Sequence, residues 1–310
     1  MRHSKAAATK IPPYIYLPIG FFGGSALYTY FYFQDEAPFT KRKRLLATSA
    51  EWERQQGDLQ YKQLLHQYKK DILPNTHRAT KTVTRVGSRI ANAANDFSKK
   101  YKPNETTGAP YTFTVVRSEM ANAFVLPNNH IFVFAGLFQF VRNEDDLAAV
   151  LGHETAHNLA RHAGERVSSS LMKGLLARLT LFLDPSGLLY TIFLPAASLL
   201  YDLPHSREHE IEADYIGLHL AADACYDPKS AKRVFAAMKA STKEGSRQPP
   251  EFISTHPSYD TRLTNFDDWL PQAMEKFNAD GGYKCQRIRN EMKKARLLHD
   301  LNSKREEMRK

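Results

Sequence analysis

His153 and His157 stand four residues apart with Glu154 beside the first of them, in the run His153-Glu154-Thr155-Ala156-His157. On an α-helix, residues i and i+4 project from one face, so both imidazoles can reach a single tetrahedral Zn²⁺ ion. Glu154 then sits beside a water on that ion and can take its proton. Zinc lowers the pKa of such a water towards ~7, which makes a nucleophile available at neutral pH. The chemistry offered by this spacing is metal-assisted hydrolysis, with one Zn²⁺ per chain.

A third protein ligand has to come from elsewhere. His162 is five residues past His157, about 140° round a helix, and cannot join the same ion. Ala160 and Ala163 occupy the places where a metzincin carries glycine and histidine. The candidates lie downstream in Arg207-Glu208-His209-Glu210-Ile211-Glu212-Ala213-Asp214, where Glu210 and Asp214 form an i,i+4 pair. One carboxylate can bind zinc while the other orients a ligand imidazole through its second ring nitrogen. Glu210 is favoured as the ligand and Asp214 as the orienting group. Glu208 and Glu212 share another face with His205 and His209, which reads as a solvated charged surface.

These groups need elements to hold them. Asn143-Glu144-Asp145-Asp146 supplies a cap and a first turn of acids, and residues 147–161 read as a helix. The run from Arg207 opens another. Tyr111 to Val116 is β-branched and aromatic, a strand. Residues 122–126 and 130–134 flank Pro127-Asn128-Asn129 and read as a β-hairpin. Residues 41–102 read as two or three helices, interrupted near Pro74 and again near Pro103. The fold class expected is α+β, mainly α, with a small edge sheet.

Composition narrows the class further. The chain has 310 residues, 42% hydrophobic and 25% charged, with two cysteines, which excludes a disulfide-built scaffold. Of 43 basic and 33 acidic side chains, residues 1–110 hold 18 and 8, residues 111–286 hold 16 and 21, and residues 287–310 hold 9 and 4. Two basic arms thus flank an acidic middle. No aromatic–basic interleaving or zinc finger accompanies the charge, so nucleic acid is not an expected partner.

Residues 11–33 carry no charge. At ~1.5 Å per residue they reach ~34 Å as a helix, enough for a ~30 Å hydrocarbon core, and the segment reads as a single transmembrane anchor. A removed targeting segment or a buried strand are the alternatives. Residues 1–10 are basic and free of acids, compatible with mitochondrial import. The lipid bilayer is therefore an expected partner.

Several motifs in order resemble one family. His153-Glu154-x-x-His157 followed by Glu210-x-Glu212-Ala213-Asp214 is similar to the gluzincin peptidases that include HtpX and the CAAX prenyl proteases. Asn122-Ala123-Phe124-x-Leu126-Pro127 and Ile131-x-Val133-x-x-Gly136-Leu137 resemble that family's edge hairpin, with Asn128-Asn129 in place of the usual Gly-Gly. Ser254-Thr255-His256-Pro257 with Arg262 resembles its late element. The run from His209 to Leu218, with the N-terminal segment, is similar to the mitochondrial inner-membrane OMA metalloendopeptidases. The resemblance covers roughly residues 60–270.

It implies that Asn122, Ala123 and Phe124 lie on the sheet edge that receives an extended peptide, and that Glu154 is base and then proton donor. It also implies that His256 lies near the site as an oxyanion donor or a structural histidine, with Arg262 in an ion pair. Protein substrates in or near the inner membrane are implied, with stress-triggered quality control and a catalytic domain facing the intermembrane space.

Three further segments complete the reading. Residues 171–204 are apolar, with a turn at Asp184-Pro185-Ser186-Gly187, and read as a helical hairpin of ~13 and ~17 residues that is either buried or dips into the bilayer. Cys225 and Cys285 are either free buried thiols or a disulfide. Residues 287–310 read as a basic amphipathic helix that either docks on the domain, on a second copy in a homo-oligomer or on anionic lipid, or is a solvated tail. The domain expected is a zinc metallopeptidase over residues 41–286. The rival is a zinc-stabilised membrane scaffold that does not turn over.

Overall fold

A nearly all-buried helix organises the fold around it. In this computed structural model, residues 16–17, 19–37, 40–101, 110–198, 202–243, 252, 256 and 259–294 are described. They divide into two units, one of residues up to Ala50 with His162–Ser206, the other of Glu51–Arg161 with residues from Arg207 onward.

The larger unit begins with helices α2 (Ala50–Gln67) and α3 (Arg78–Tyr101). The break near Pro74 lies between them, and Pro103 is outside the described residues. Val83, Val86, Ile90, Ala94 and Phe97 form the buried stripe of α3, at the spacing that turns one helix face inward. Strands β3 (Thr112–Val116), β4 (Ala123–Val125) and β5 (His130–Phe134) make a sheet in the order β3-β5-β4. β4 is antiparallel to β5, as the hairpin reading requires, while β3 adds in parallel on the other side of β5. Every residue of β5 is buried, as expected of a central strand. Asn129 takes the left-handed conformation at φ 64°, which asparagine tolerates and a tight turn needs. Phe132 and Phe134 pack with Val116 and Leu126 against Tyr61 and Leu64 of α2 and the adjoining Tyr68.

Helix α4 (Glu144–Leu159) starts where Asn143 Oδ1 accepts the Asp146 N–H at 3.0 Å. It is buried from Leu147 to His157, apolar as far as Gly152 and polar at His153, Glu154, Thr155 and His157. The unit continues in α7 (Leu203–Asp223), α8 (Lys229–Lys243) and α9 (Tyr259–Phe277). A last helix, α10, covers residues 283–294. Cys225 and Cys285 are joined in a disulfide that ties the end of α7 to α10. Cys285 and Met292 are buried, and Arg289 bonds Asp145 at 2.7 Å, so this part of the basic C-terminal segment packs on its own domain. Residues 295–310 lie outside the described residues.

The smaller unit contains a π-helical turn (Ile19–Gly23) running into α1 (Gly24–Tyr32), a two-stranded ribbon of β1 (Gln34–Glu36) and β2 (Lys43–Leu45), α5 (His162–Leu183) and α6 (Leu188–Ala197). No helix among the described residues is long and apolar enough to cross a membrane. The helical turns from Ile19 to Tyr32 reach only ~21 Å at ~1.5 Å per residue. Residues 11–15 and 18 of the expected span lie outside the described residues. The expected hairpin turn is present, with Gly187 at φ 81°, but its arms differ from the sequence reading. α5 has 22 residues because nothing between His162 and Leu183 breaks the helix, and α6 has 10, with Pro195 near its end. Phe21, Leu27, Phe31, Phe182, Leu188 and Ile192 are all exposed in this unit.

Candidate metal centre

Helices α4 and α7 supply the site. They approach closely because both carry glycine at the crossing. A Cβ built on Gly152 would stand 2.9 Å from the Gly217 carbonyl oxygen. The residues that follow on α4 and precede on α7 are thereby brought face to face. His153 Nε2 and His157 Nε2 converge to 3.1 Å, and the Glu210 carboxylate oxygens lie 3.4 Å from each of them. His256 Nδ1 joins the cluster at 3.2 Å from His153 Nε2 and 2.9 Å from Glu210.

The four residues are buried, and their donor atoms all lie within 4.8 Å of one another. This donor set fits a divalent cation. Ligand atoms ~2.0–2.1 Å from a tetrahedral ion are ~3.3–3.4 Å apart, close to the separations among His153, His157 and Glu210. Imidazole with carboxylate is a donor mixture suited to a borderline-soft metal.

Groups behind the cluster fix its orientation. Asp214 Oδ1 is 3.0 Å from His153 Nδ1, which leaves Nε2 pointing into the cluster. Arg262 donates to both Asp214 oxygens at 2.6 and 2.7 Å and to the His256 carbonyl at 3.3 Å, and lies 3.4 Å from Glu210. Its guanidinium is fully buried over the Phe235 ring. Phe252 stacks on His256 with ring centroids 4.4 Å apart.

The electrostatics follow from this packing. Burial pushes against the charged forms of His153, Glu154, Glu210 and Asp214. Asp214 is nonetheless held below the usual carboxylate range by Arg262, and Glu210 well below it by the histidines. Burial also opposes protonation of His153, but hydrogen bonds to Asp214 and Glu210 outweigh it and raise its pKa to about 9 without a metal. Glu154 is different. Desolvation raises its pKa despite the neighbouring histidines and an N–H bond from Val125. Its Oε1 is buried, has no hydrogen-bond partner among the described residues, and lies 3.4 Å from His256 Nε2.

Val125 belongs to β4, so the edge strand runs beside Glu154. Among the described residues, β4 pairs on one side only, with β5, and Asn122, just before it, has a buried Oδ1 without a hydrogen-bond partner. The structure thus brings together His153, Glu154, His157, Glu210, Asp214 and His256, with Asn122, Ala123 and Phe124 along the adjoining edge. Cys225 and Cys285 form their disulfide outside the cluster.

Sequence reasoning missed three things. One is the burial of His209 and Glu212, which the sequence reading put on a solvated face, and another is the way Arg262 ties Asp214, Glu210 and His256 together. The third is the Gly152–Gly217 crossing, whose signal was available, since glycine in a helix interior is destabilising unless close packing requires it.

Comparison with known proteins agrees with the geometry. Residues 78–270, more than half of the chain, match peptidase family M48. The mitochondrial metalloendopeptidase OMA1 of Schizosaccharomyces pombe is 36% identical over 254 residues, covering 82% of this chain and 71% of that protein. The protein of that name from Saccharomyces cerevisiae is 33% identical over 260 residues, 82% of this chain and 74% of its own length. The bovine metalloendopeptidase OMA1 is 33% identical over 280 residues, of which this chain spans half the length. Matched over the residues that build the cluster, the chain belongs to peptidase family M48 and is a metalloprotease.

Proposed function

We propose that the protein is a zinc metalloendopeptidase that cleaves proteins at the mitochondrial inner membrane. The observation that carries this reading is the convergence of two imidazole nitrogens and one carboxylate with a buried, unbonded Glu154 oxygen beside them. His153, His157 and Glu210 would hold the ion. When bound, zinc supplies Lewis acidity, which makes water nucleophilic near neutral pH and polarises the scissile carbonyl.

The chain's own residues do the rest. An extended peptide adds to the open side of β4 as a further strand, with Asn122 Oδ1 accepting a peptide N–H. Glu154 accepts the proton of the attacking water and passes it to the leaving amine. His256 donates a hydrogen bond to the carbonyl oxygen as negative charge develops there. Asp214 keeps His153 oriented, and Arg262 keeps Asp214 in place.

The mitochondrial placement rests on the names of the relatives and on the basic, acid-free start of the chain. Residues 11–33 would anchor the protein, aided by the exposed apolar side chains of the smaller unit. A disulfide suits the intermembrane space better than a reducing compartment, which favours a catalytic domain on that side. Quality-control cleavage of inner-membrane proteins is the role that fits this placement.

Glu154→Gln tests the reading. Peptidase activity should fall by about 10²–10⁴-fold while elemental analysis still finds one zinc per chain. Comparing proteomes of cells that carry wild type and Glu154→Gln should then reveal intact substrates accumulating among inner-membrane proteins. Wild-type turnover in the zinc-loaded variant would sink the mechanism.

A further inference from the structure

A second feature of the larger unit lies apart from the metal cluster and shares no residue with it. A cavity of about 620 Å³ opens beside the first turns of α3 and α4. Its wall carries Arg78, Lys81, Arg85 and Arg142 against a single acid, Glu144. Arg78, Lys81 and Arg85 recur at i, i+3 and i+7, so α3 lines them along one face. Four cations and one carboxylate leave an excess of three positive charges, before any contribution from His77.

The partners of these cations are unequal. Arg85 pairs with Glu144, and its Nε is buried without a hydrogen-bond partner. Arg142 leans on Asp146, its Nε 3.6 Å from the carboxylate. Arg78 and Lys81 have no carboxylate partner among the described residues, and both are exposed. The inner wall is apolar, formed by Phe138, Val141 and Leu147.

We propose that this cavity binds a phosphate-bearing ligand. A guanidinium fork pairs with phosphate through two parallel hydrogen bonds, and a lysine adds a point charge. A phosphate monoester or diphosphate carries the charge to offset the excess, whereas one carboxylate leaves most of it uncompensated. The volume falls in the range of small-molecule sites and exceeds what a lone anion fills, so the phosphate belongs to a larger molecule whose body rests on the apolar wall. A soluble nucleotide and a phospholipid with a phosphomonoester headgroup both present this chemistry. The proposal is independent of the peptidase reading.

Calorimetric titration of the full chain in detergent, at fixed ionic strength, tests it. The probes are inorganic pyrophosphate, ATP, citrate, and dihexanoyl phosphatidic acid, a phosphomonoester, below its micelle concentration. The Arg78→Gln/Lys81→Gln double variant removes only exposed side chains and leaves the Arg85–Glu144 pair in place. Lys99→Gln is the control, an exposed cation outside the cavity that pairs with Asp96.

Pyrophosphate or ATP binding that weakens about tenfold or more in the double variant, and is unchanged in the control, assigns a soluble phosphate ligand. The same dependence confined to phosphatidic acid assigns a lipid headgroup. Absence of binding by every phosphate probe, equal binding by the double variant, or tighter binding of citrate than of pyrophosphate overturns the proposal.

Discussion

Gly217 lies against His153: a Cβ built on Gly217 would stand 2.8 Å from the His153 backbone nitrogen and 2.9 Å from the Gly152 carbonyl carbon. These are backbone atoms and cannot swing aside. Gly217→Ala therefore has to push α7 off α4, at a cost of roughly 1–3 kcal/mol, and the displaced helix is the one that carries Glu210 and Asp214. Thermal unfolding should show the loss of stability, and metal titration a weaker site. Gly174→Ala on α5, whose nearest neighbour is the flexible end of Arg178 at 3.2 Å, should leave both unchanged.

Asp214 has two partners, and they can be separated. Asp214→Asn should weaken metal affinity by about 10–100-fold, because the group that orients His153 loses its charge. It also takes the hydrogen-bonded carboxylate from buried Arg262 and leaves Glu210, 3.4 Å away, as a weaker counter-charge, a loss of up to about 3–5 kcal/mol. Asp214→Asn/Arg262→Gln should recover much of the stability but none of the metal affinity. Recovery of both together would mean that Asp214 acts only as an ion-pair partner.

His130 sets a limit on acid stability. Its ring nitrogens meet Thr112 Oγ1 at 2.5 Å and Thr114 Oγ1 at 2.8 Å, and burial lowers its pKa to about 4. An unfolded chain takes up that proton near pH ~6.5, so between ~6.5 and about 4 the unfolded state binds more protons than the folded one. Stability should fall as pH drops through this window. His219, also lowered to about 4 by burial, adds to the same trend. His130→Gln should make the melting temperature fall less steeply from pH 6.5 to 4.5, and an unchanged slope would show that His130 does not contribute.

The disulfide closes a long loop, with Cys225 and Cys285 separated by 60 residues. Cys285→Ser, measured against oxidised wild type in denaturant, should lose about 4 kcal/mol in the chain-entropy account. Amide exchange should rise first in α10, since Met292 and Arg289 then remain as its main ties to the domain. Equal stability of the two proteins would show that the bridge constrains nothing the fold does not already hold.

Much of the candidate site was legible before folding. The i,i+4 spacing of His153 and His157 puts two imidazoles on one side of any helix, whatever surrounds it. The same period pairs Glu210 with Asp214, and the alternation around Pro127-Asn128-Asn129 marks the hairpin. These are short-range patterns that the backbone's own geometry imposes.

Other features needed chain segments far apart in sequence to meet. The parallel addition of β3, the extra ribbon of β1 and β2, and the division of the chain at Ala50, Arg161 and Ser206 depend on pairings that no local pattern specifies. So does the convergence that puts Glu210 and Asp214 in the positions favoured for them from the sequence. Glu210 turns to His153 and His157, and Asp214 passes behind to His153 Nδ1, because the Gly152–Gly217 crossing fixes the rotation of one helix against the other. His256 is held at the cluster by Arg262 on its carbonyl and by Phe252 on its ring, residues distant from the other donors in sequence. The sequence by itself determined which donors were available and on which helix faces. The tertiary structure decided which of them meet, because convergence of buried polar groups depends on how helices pack, and periodicity carries no record of that.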